Sequence, residues 1–320
     1  MAFIPNFKNK GMFLYIDWQP SIEAFKIGSF GVRWYSLCWV AGLLVGYLIV
    51  RKLFADQQID PEIKNGTKVY THRFDPLFIY CFVGIVLGAR LGHCIFYEPS
   101  YYLTSVKGFI EMFLPIRFAQ NSWDFHMIGY TGLASHGGTA GLILALYLYK
   151  RSKKMPMPVI LDNLSIAAPF AACCIRLGNL MNSEIIGTVT DKPWGFIFHT
   201  PEAMQGGTFP PRHPSQLYEA LFYILVFVAV WVIYQRSRKA YQGKENTLYQ
   251  VRERISVGSG FYFGLVIACI FTFRFFIEFL KEVQGGADNG STWLDMGQML
   301  SIPFVIAGVW MMVRKVDYKN

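Results

Sequence analysis

Charged residues are scarce in this 320-residue chain: they make up 16% of it, against about a quarter in soluble proteins. Hydrophobic residues make up 53% and aromatic residues 17%, so the composition excludes disordered, collagen-like and coiled-coil chains and argues against an ordinary soluble protein. The basic residues behind the net charge of +9 form no stripe that would suit nucleic acid. They fall in short clusters between long apolar runs, a pattern typical of an integral membrane protein, and no nucleic-acid partner is expected.

Features that mark several other classes of protein are also missing. The six cysteines lie inside apolar runs without C-x-x-C spacing, which indicates buried side chains rather than a disulfide framework. No removable signal peptide is visible, so we expect the first apolar run to be retained as a spanning helix. The sequence has no internal repeat, which disfavours a repeat-built transporter. It also has no metal, nucleotide or redox-cofactor motif, so no metal or cofactor is expected.

Seven apolar segments approach the length of about 20 residues that a helix needs to cross a bilayer core of about 30 Å. They are residues 31–50, 76–97, 127–149, 161–181, 216–235, 257–280 and 297–313. The sequence therefore predicts an all-α integral membrane protein with seven transmembrane helices. We expect residues 1–320 to form a single membrane-embedded domain.

Lys and Arg residues are distributed unevenly between the two sets of connecting segments, with 18 on one side and 9 on the other. Because cytoplasmic loops are enriched in these residues, we expect the amino terminus outside and the carboxy terminus in the cytoplasm. Residues 236–256 would form a basic cytoplasmic loop. On the outer side, residues 98–126 and 182–215 are long enough to fold on the membrane surface. Prolines and glycines in the second segment predict a small, turn-rich periplasmic head.

Three predicted spans each contain one arginine: Arg90, Arg176 and Arg274. Each costs about 2.5 to 3.5 kcal/mol at the bilayer centre on insertion scales. Each side chain could instead reach the interface or pair with a carboxylate, and that structural alternative stays open. At 1.5 Å per residue, all three lie roughly 8 to 10 Å from the outer end of their helices. Guanidinium groups match phosphate oxygens, so we expect a lipid-phosphate site, with Glu278 holding Arg274 from four residues away.

His136 lies roughly 13 Å along the third predicted span, counted from its outer end. Gly137 and Gly138 follow it and allow close approach of a helix or a ligand. A hydrogen-bonded packing role is the alternative, but an imidazole with an unperturbed pKa near 6.5 suits proton transfer. We expect His136 and the three arginines to converge in the outer half of the bilayer.

The fourth predicted span ends in a run of polar side chains. Arg176, Asn179 and Asn182 share one face if the helix continues, because they are spaced by three residues, and Glu184 follows them. Simple capping of the helix end is the alternative. An arginine with two amides and a carboxylate exceeds what a cap needs, so we expect a binding function.

Seven motifs in chain order resemble the prolipoprotein diacylglyceryl transferase family. They are Arg33-Trp34-Tyr35, Gly88-Ala89-Arg90-Leu91-Gly92, His136-Gly137-Gly138, and the runs from Arg176 to Glu184, His213 to Glu219, Arg274 to Phe279 and Gly297 to Pro303. The ordered set covers nearly the whole chain. Ile175 and Leu180 depart from the common pattern, where Gly and Phe are frequent. Neither departure removes a polar side chain, so they bear on the shape of the donor pocket.

The resemblance implies a multi-pass enzyme of the bacterial cytoplasmic (inner) membrane. Such an enzyme transfers the diacylglyceryl group of phosphatidylglycerol to the lipobox cysteine of a prolipoprotein signal peptide, and glycerol 1-phosphate is released. The family's essential positions would be Tyr35, His136, Arg176, Asn179, Glu184, Arg274 and Glu278, with Asp162 in a supporting role on the inner side.

We predict catalytic roles and substrate-binding roles for overlapping sets of residues. The catalytic set is His136, Arg176, Arg274, Glu278 and Tyr35, and the substrate-binding set is Arg176, Asn179, Asn182, Glu184, Gly137, Gly138 and Arg90. The substrate thiol must become a thiolate, for which His136 is either the proton acceptor or an orienting donor. Two other functions stay open: a lipid or anion transporter that uses the same arginines, and a structural scaffold.

Overall fold

The computed structural model describes residues 6–10, 13–28, 30–57, 62–64, 67–69, 71–119, 122–127, 132–238, 254–282 and 294–314. In these ranges the helices are α1 (Trp34–Asp56), α2 (Thr71–Phe96), α3 (Pro99–Tyr102), α4 (Val106–Phe113), α5 (Ser135–Lys153), α6 (Met157–Met181), α7 (Ser215–Ser237), α8 (Phe261–Ile277) and α9 (Met296–Val313). The strands are β1 (Asn6–Lys10), β2 (Phe13–Trp18), β3 (Glu23–Ile27), β4 (Phe30–Arg33), β5 (Glu62–Lys64), β6 (Thr67–Val69), β7 (Ile116–Phe118), β8 (Phe125–Met127) and β9 (Phe196–Phe198). The chain is mostly helical, as predicted, but the sequence did not predict these short strands.

Six helical segments are long and apolar enough to cross a membrane. They are Trp34–Asp56, Phe74–Phe96, Met157–Met181, Ser215–Ser237, Phe261–Leu280 and Met296–Val313. Each coincides with one of the predicted spans to within a few residues. The chain is therefore a multi-pass membrane protein, and the prediction of mostly helical membrane architecture is confirmed.

The third predicted span differs from the observed helix at its beginning. Residues 125–127 form β8, and α5 begins only at Ser135, so the predicted start at residue 127 is wrong. The last turn of α5 carries Lys150, Arg151 and Lys153, and α5 is not among the six apolar segments. The apolar run before Ser135 had suggested a longer helix because hydropathy alone does not separate helix from extended chain.

Contacts divide the chain into two compact units, Met1–Gln57 with Leu161–Asn320 as the first and Gln58–Ile160 as the second. A single domain over residues 1–320 stays a prediction, as does the orientation of the termini. The predicted cytoplasmic loop at 236–256 lies largely outside the described residues, which omit 239–253.

In the first unit, α8 packs closely on α9 at two glycines. A Cβ on Gly264 or Gly308 would come within 2.6 or 2.7 Å of the other residue's carbonyl oxygen, so these positions require glycine. The preceding residues, 257–260, form a turn in which Gly260 adopts φ +83°, and α8 therefore starts at Phe261 rather than at the predicted residue 257. α9 begins with a capping box formed by Asp295 and Gln298.

The segment between α6 and α7 is turn-rich, as its prolines and glycines predicted. It contains no α-helix, and β9 pairs in parallel with β2, which pairs antiparallel with β1. Arg212 is 2% exposed and ties the segment together by donating hydrogen bonds to the carbonyl oxygens of Gly187 and Ala203 and by pairing with Glu282. This segment is referred to below as the head, and its place on the outer side of the membrane stays a prediction.

In the second unit, α2 packs against α5, and the predicted surface segment at 98–126 folds into α3, α4 and the β7–β8 hairpin. Ser105 caps α4, since its side chain accepts a hydrogen bond from the Gly108 nitrogen at 3.0 Å. This segment begins immediately after α2 and surrounds the side chain of Arg90, as described below.

Candidate functional site

Arg176 lies near the end of α6 and forms an ion pair inside the first unit. Its Nε is 3.0 Å from Oε2 of Glu219, a residue of α7. The Glu219 side chain is fully buried, whereas 15% of the Arg176 side chain is exposed. An unpaired charge in a membrane span is costly, so the carboxylate offsets that cost and fixes the guanidinium. Pairing with a carboxylate was the structural alternative for this arginine, and the pair leaves part of the Arg176 side chain accessible.

A second cation shares the same carboxylate. Lys281 follows the 3-10 turn Glu278–Leu280 at the end of α8, and its Nζ is 3.2 Å from Glu219 Oε1. The same Nζ is 3.3 Å from Glu278 Oε2. Arg176, Glu219, Lys281 and Glu278 therefore form a chain of alternating charges, called the ionic cluster below. Two of its four members, Glu219 and Lys281, were not among the predicted site residues.

The predicted polar face at the end of α6 forms a connected network. Asn179 Oδ1 lies 3.4 Å from Arg176 Nη1, and Asn179 Nδ2 donates to Glu184 Oε2 at 3.1 Å. Asn182 Nδ2 donates to the other carboxylate oxygen of Glu184 at 3.0 Å. Ser183 adopts φ +55°, which turns the chain back after the helix, and the Glu184 nitrogen donates to the Asn179 carbonyl oxygen. Asn182 directly follows the last residue of α6, and its nitrogen still donates to the Gly178 carbonyl oxygen, so the helical spacing extends to this residue.

Tyr35, in the first turn of α1, packs against α6 beside this network. A Cβ on Gly178 would lie 2.9 Å from Tyr35 Cδ2, so glycine at this position permits the contact. Tyr35 interacts electrostatically with Glu184 and Arg176. The structure thus brings together Tyr35, Arg176, Asn179 and Glu184, all of which the sequence predicted as site residues.

Arg274 lies in the last turn of α8 and is half-buried. Tyr223 of α7 donates a hydrogen bond to Glu219 Oε1 at 3.4 Å and interacts electrostatically with both Arg274 and Arg176. Arg274 therefore belongs to the surroundings of the ionic cluster. Among the contacts of the described residues, no ion pair joins it to Glu278, which differs from the expectation.

Glu278 pairs with Lys281 rather than with Arg274, although it lies four residues after Arg274 on helical spacing. Its φ of −58° and ψ of −32° are α-helical, its nitrogen donates to the Arg274 carbonyl oxygen, and it also begins the 3-10 turn Glu278–Leu280. Its carboxylate pairs with Lys281 and lies over Gly297 in the first turn of α9, where a Cβ would meet Glu278 Oε1 at 2.9 Å. Glu278 thus connects the ionic cluster to the start of α9.

Arg90 belongs to the second unit and is 2% exposed. Its Nη2 donates to the Glu111 carbonyl oxygen at 2.8 Å and to the Tyr102 hydroxyl at 3.3 Å. The Glu111 carboxylate accepts from the Tyr101 hydroxyl and the Phe118 nitrogen, each at 2.7 Å. Burial and this carboxylate raise the pKa of Tyr101. These contacts anchor the surface segment to α2 and favour the structural alternative for Arg90 over the predicted substrate-binding role.

His136 lies in the first turn of α5 and is exposed. Its predicted depth of roughly 13 Å along a helix is wrong, because the helix begins at Ser135 rather than at residue 127. His136 and Arg90 lie in the second unit, and Arg176 and Arg274 lie in the first. The convergence of the four residues stays a prediction.

Gly137 lies in the contact between α5 and α2. A Cβ on Gly137 would come within 2.8 Å of the Gly92 Cα and would also meet the carbonyl oxygen of Gly88. At Gly138 the nearest atom would be the Ala89 Cβ at 3.5 Å, an ordinary contact. Gly137 therefore serves close helix packing, which was one of the two roles that the sequence allowed, and substrate binding by either glycine stays a prediction.

Asp162, the predicted supporting residue, is fully buried near the start of α6. Its Oδ2 accepts hydrogen bonds from the nitrogens of Gly258 and Gly260 at 2.8 and 2.9 Å, and its Oδ1 accepts one from Phe263 at 2.9 Å. The carboxylate thus caps α8 from a neighbouring helix. Asp162 thus fixes the start of α8, the helix that carries Arg274 in its last turn.

Besides Lys281, sequence reasoning missed Glu219 and Gly187 as residues that build the site. Glu219 ends the motif that runs from His213 to Glu219 and lies inside the predicted span 216–235. A charged residue inside a predicted span was the signal that identified the arginines, and it could have identified Glu219 as well. Gly187 follows Glu184 by three residues, and a Cβ there would lie 2.7 Å from the Leu280 carbonyl oxygen and from the His213 Cβ. Its need for glycine depends on contacts with distant residues, which sequence spacing does not indicate. No group of three His, Cys, Asp or Glu side chains within the described ranges could hold a metal ion.

Comparison with known proteins agrees with the motif resemblance. The model of the family described as prolipoprotein diacylglyceryl transferase matches residues 22–314. The phosphatidylglycerol–prolipoprotein diacylglyceryl transferase of Bacteroides fragilis is 45% identical over 302 residues, covering 94% of this chain and 95% of that protein. The enzyme of the same name from Tolumonas auensis is 35% identical over 303 residues, covering 94% and 98%. This chain belongs to the prolipoprotein diacylglyceryl transferase family.

Proposed function

We propose that this chain transfers the diacylglyceryl group of phosphatidylglycerol to the thiol of the lipobox cysteine in a prolipoprotein signal peptide. The reaction is the first step of lipoprotein maturation. Family membership and the names of relatives that match nearly end to end support the substrate classes. The observation that carries the site assignment is the buried Arg176–Glu219 ion pair near the end of a helix long enough to span a membrane.

The transfer is a substitution at a primary carbon. The thiolate sulfur forms a bond to the terminal glyceryl carbon, the bond from that carbon to the phosphate oxygen breaks, and its electron pair leaves with glycerol 1-phosphate. The leaving group is already an anion, so neutralising its growing charge matters more than protonating it. Arg176 and Arg274 supply this charge neutralisation, and the planar guanidinium fork matches phosphate oxygens.

The thiol proton must be removed before or during attack, because the thiolate is the nucleophile. We assign this proton to His136, an exposed imidazole in the first turn of α5. The assignment rests on its sequence motif and on the ability of a neutral imidazole to accept a proton near pH 7. The proton then passes to solvent or to the departing phosphate.

The polar network at the end of α6 binds the lipid headgroup. Asn179, Asn182 and Glu184 hold one another through amide–carboxylate hydrogen bonds, which fixes their side chains beside Arg176. Fixed amide and carboxylate groups recognise the hydroxyls of a glycerol headgroup. Tyr35 of α1 packs against α6 beside this network. Glu278 pairs with Lys281 and so stabilises the end of α8.

The proposal includes a bacterial inner-membrane location with seven spans, the third formed by α5. The amino terminus lies outside and the head faces the periplasm, in keeping with the asymmetry of Lys and Arg residues. Cysteine labelling in a cysteine-free background tests this topology. Position 205 should react only from outside and position 244 only from the cytoplasm, and the reverse pattern would contradict it.

The function is tested by incubating the purified protein with phosphatidylglycerol and a lipobox peptide. Mass spectrometry should detect a diacylglyceryl thioether on the peptide cysteine. A matched peptide with serine in place of that cysteine should give no product. Lipid movement across vesicles without a thioether product would instead favour the transporter alternative.

A further inference from the structure

Glu219 is a fully buried carboxylate in the second turn of a membrane-spanning helix. Both of its oxygens face cations: Arg176 Nε lies 3.0 Å from one and Lys281 Nζ lies 3.2 Å from the other. The Tyr223 hydroxyl adds a third contact at 3.4 Å. A helix-capping or solvent-facing role does not explain this arrangement, because the side chain points away from water and toward charged groups.

We infer that Glu219 is a positioning residue for Arg176 in diacylglyceryl transfer: its charge holds the guanidinium in place through the ion pair at Nε, so that the other N–H donors can face the phosphate of the lipid. This inference rests on the proposed function. It assigns a role to a residue outside the predicted site, and the role acts through Arg176 rather than through the substrate.

The geometry of an arginine side chain allows one part of the guanidinium to contact Glu219 while another part contacts the lipid phosphate. A guanidinium has five N–H donors in a rigid plane, so holding one edge fixes the direction of the others. Glu219 Oε2 lies 3.0 Å from Nε as an ion-pair contact and accepts no hydrogen bond from the described residues, Asn179 accepts from Nη1 at a long 3.4 Å, and Tyr223 lies against the group. These contacts leave donors for a bidentate contact with phosphate oxygens.

Lys281 holds Glu219 in turn. It bridges Glu219 and Glu278, and only 8% of its side chain is exposed. The carboxylate is therefore fixed from the chain segment after α8 as well as from α6. A carboxylate with two fixed cations has little freedom to rotate, which is what a positioning role requires.

A double-mutant cycle tests the inference, with product formation followed by mass spectrometry. Glu219→Gln keeps the shape but removes the charge, and we expect it to lower the transfer rate about 100-fold, the scale of a misplacement of about 1 Å. Arg176→Lys removes the rigid fork. Adding Glu219→Gln to Arg176→Lys should lower the rate less than about threefold further, because no fork is left to direct. Equal factors in both backgrounds would overturn the inference.

Glu111→Gln provides a matched control, because Glu111 is also a buried carboxylate and belongs to the other unit. Its effect on the rate should be the same factor with or without Arg176→Lys. If Glu219→Gln does not fold, judged by its thermal midpoint, Glu219→Asp enters the same cycle, since it keeps the charge but moves it by about one methylene. Coupling of Glu111 as strong as that of Glu219 would also overturn the inference. Thioether formation by the wild type in the same assay establishes the proposed function separately.

Discussion

Replacing Gly137 by alanine tests whether this glycine serves helix packing. In the contact between α5 and α2, the new Cβ would lie 2.8 Å from the Gly92 Cα and 3.1 Å from the Gly88 carbonyl carbon. Both neighbours are backbone atoms, so neither can rotate away, and the helices must separate. Overpacking of this kind costs about 1 to 3 kcal/mol.

Gly138→Ala is the matched control, because its Cβ would meet only ordinary contacts at 3.5 Å or more. Both substitutions gain the same helix propensity of about 1 kcal/mol, so the difference between the variants isolates the packing cost. That difference of about 1 to 3 kcal/mol corresponds to a ratio of about 5 to 150 between their unfolding equilibrium constants. Reversible unfolding in mixed detergent micelles measures it. Equal stability of the two variants, with lipid binding lost only in Gly137→Ala, would refute the packing role and support a ligand contact.

Three further predictions concern charged and titratable groups. Arg176→Lys and Arg274→Lys should each lose most of the transferase activity at normal protein levels, since an ammonium cannot reproduce the planar fork; near-wild-type turnover would leave only general attraction or a stability role. Asp162→Asn should lower the free energy of unfolding by about 1.5 to 3 kcal/mol for each charge-assisted hydrogen bond lost at the start of α8, and unchanged stability would contradict its capping role. His136→Gln should bind phosphatidylglycerol normally but transfer slowly, with a deficit that shrinks as pH rises past the thiol pKa of about 8.5, because hydroxide then supplies the thiolate. A deficit that does not change with pH would contradict the general-base role while leaving the enzyme class intact.

Long apolar runs were sufficient to predict most of the helices, because a membrane span must satisfy its backbone hydrogen bonds internally and so must be helical. The same reasoning failed before Ser135, where apolar residues continue outside the helix and hydropathy does not mark the boundary. It also did not anticipate the short strands near the amino terminus. β2 pairs with β9, 180 residues later in the chain, and pairing over such a separation leaves no periodic signal in either segment.

The site was predictable where its residues follow one another in the sequence. Arg176, Asn179 and Glu184 lie within one motif, and the structure connects them by hydrogen bonds. Glu219 comes from α7 and Lys281 from the chain just after α8, so their contacts with Arg176 and Glu278 depend on how these segments fold and pack. The predicted pair between Arg274 and Glu278 assumed a continuous α-helix. The helical spacing does continue to Glu278, but its carboxylate pairs with Lys281 instead, and spacing along one helix does not indicate which cation a carboxylate will contact.

The central claim is tested most directly by measuring which product keeps the oxygen that bridges the diacylglyceryl carbon and phosphorus. Phosphatidylglycerol can be prepared with oxygen-18 between the terminal diacylglyceryl carbon and phosphorus, then incubated with the purified protein and a lipobox peptide. Carbon–oxygen cleavage by the thiolate predicts a thioether product without the label and glycerol 1-phosphate that retains it. A peptide product that carries the label, or glycerol phosphate released without any thioether, would contradict the proposed diacylglyceryl transfer.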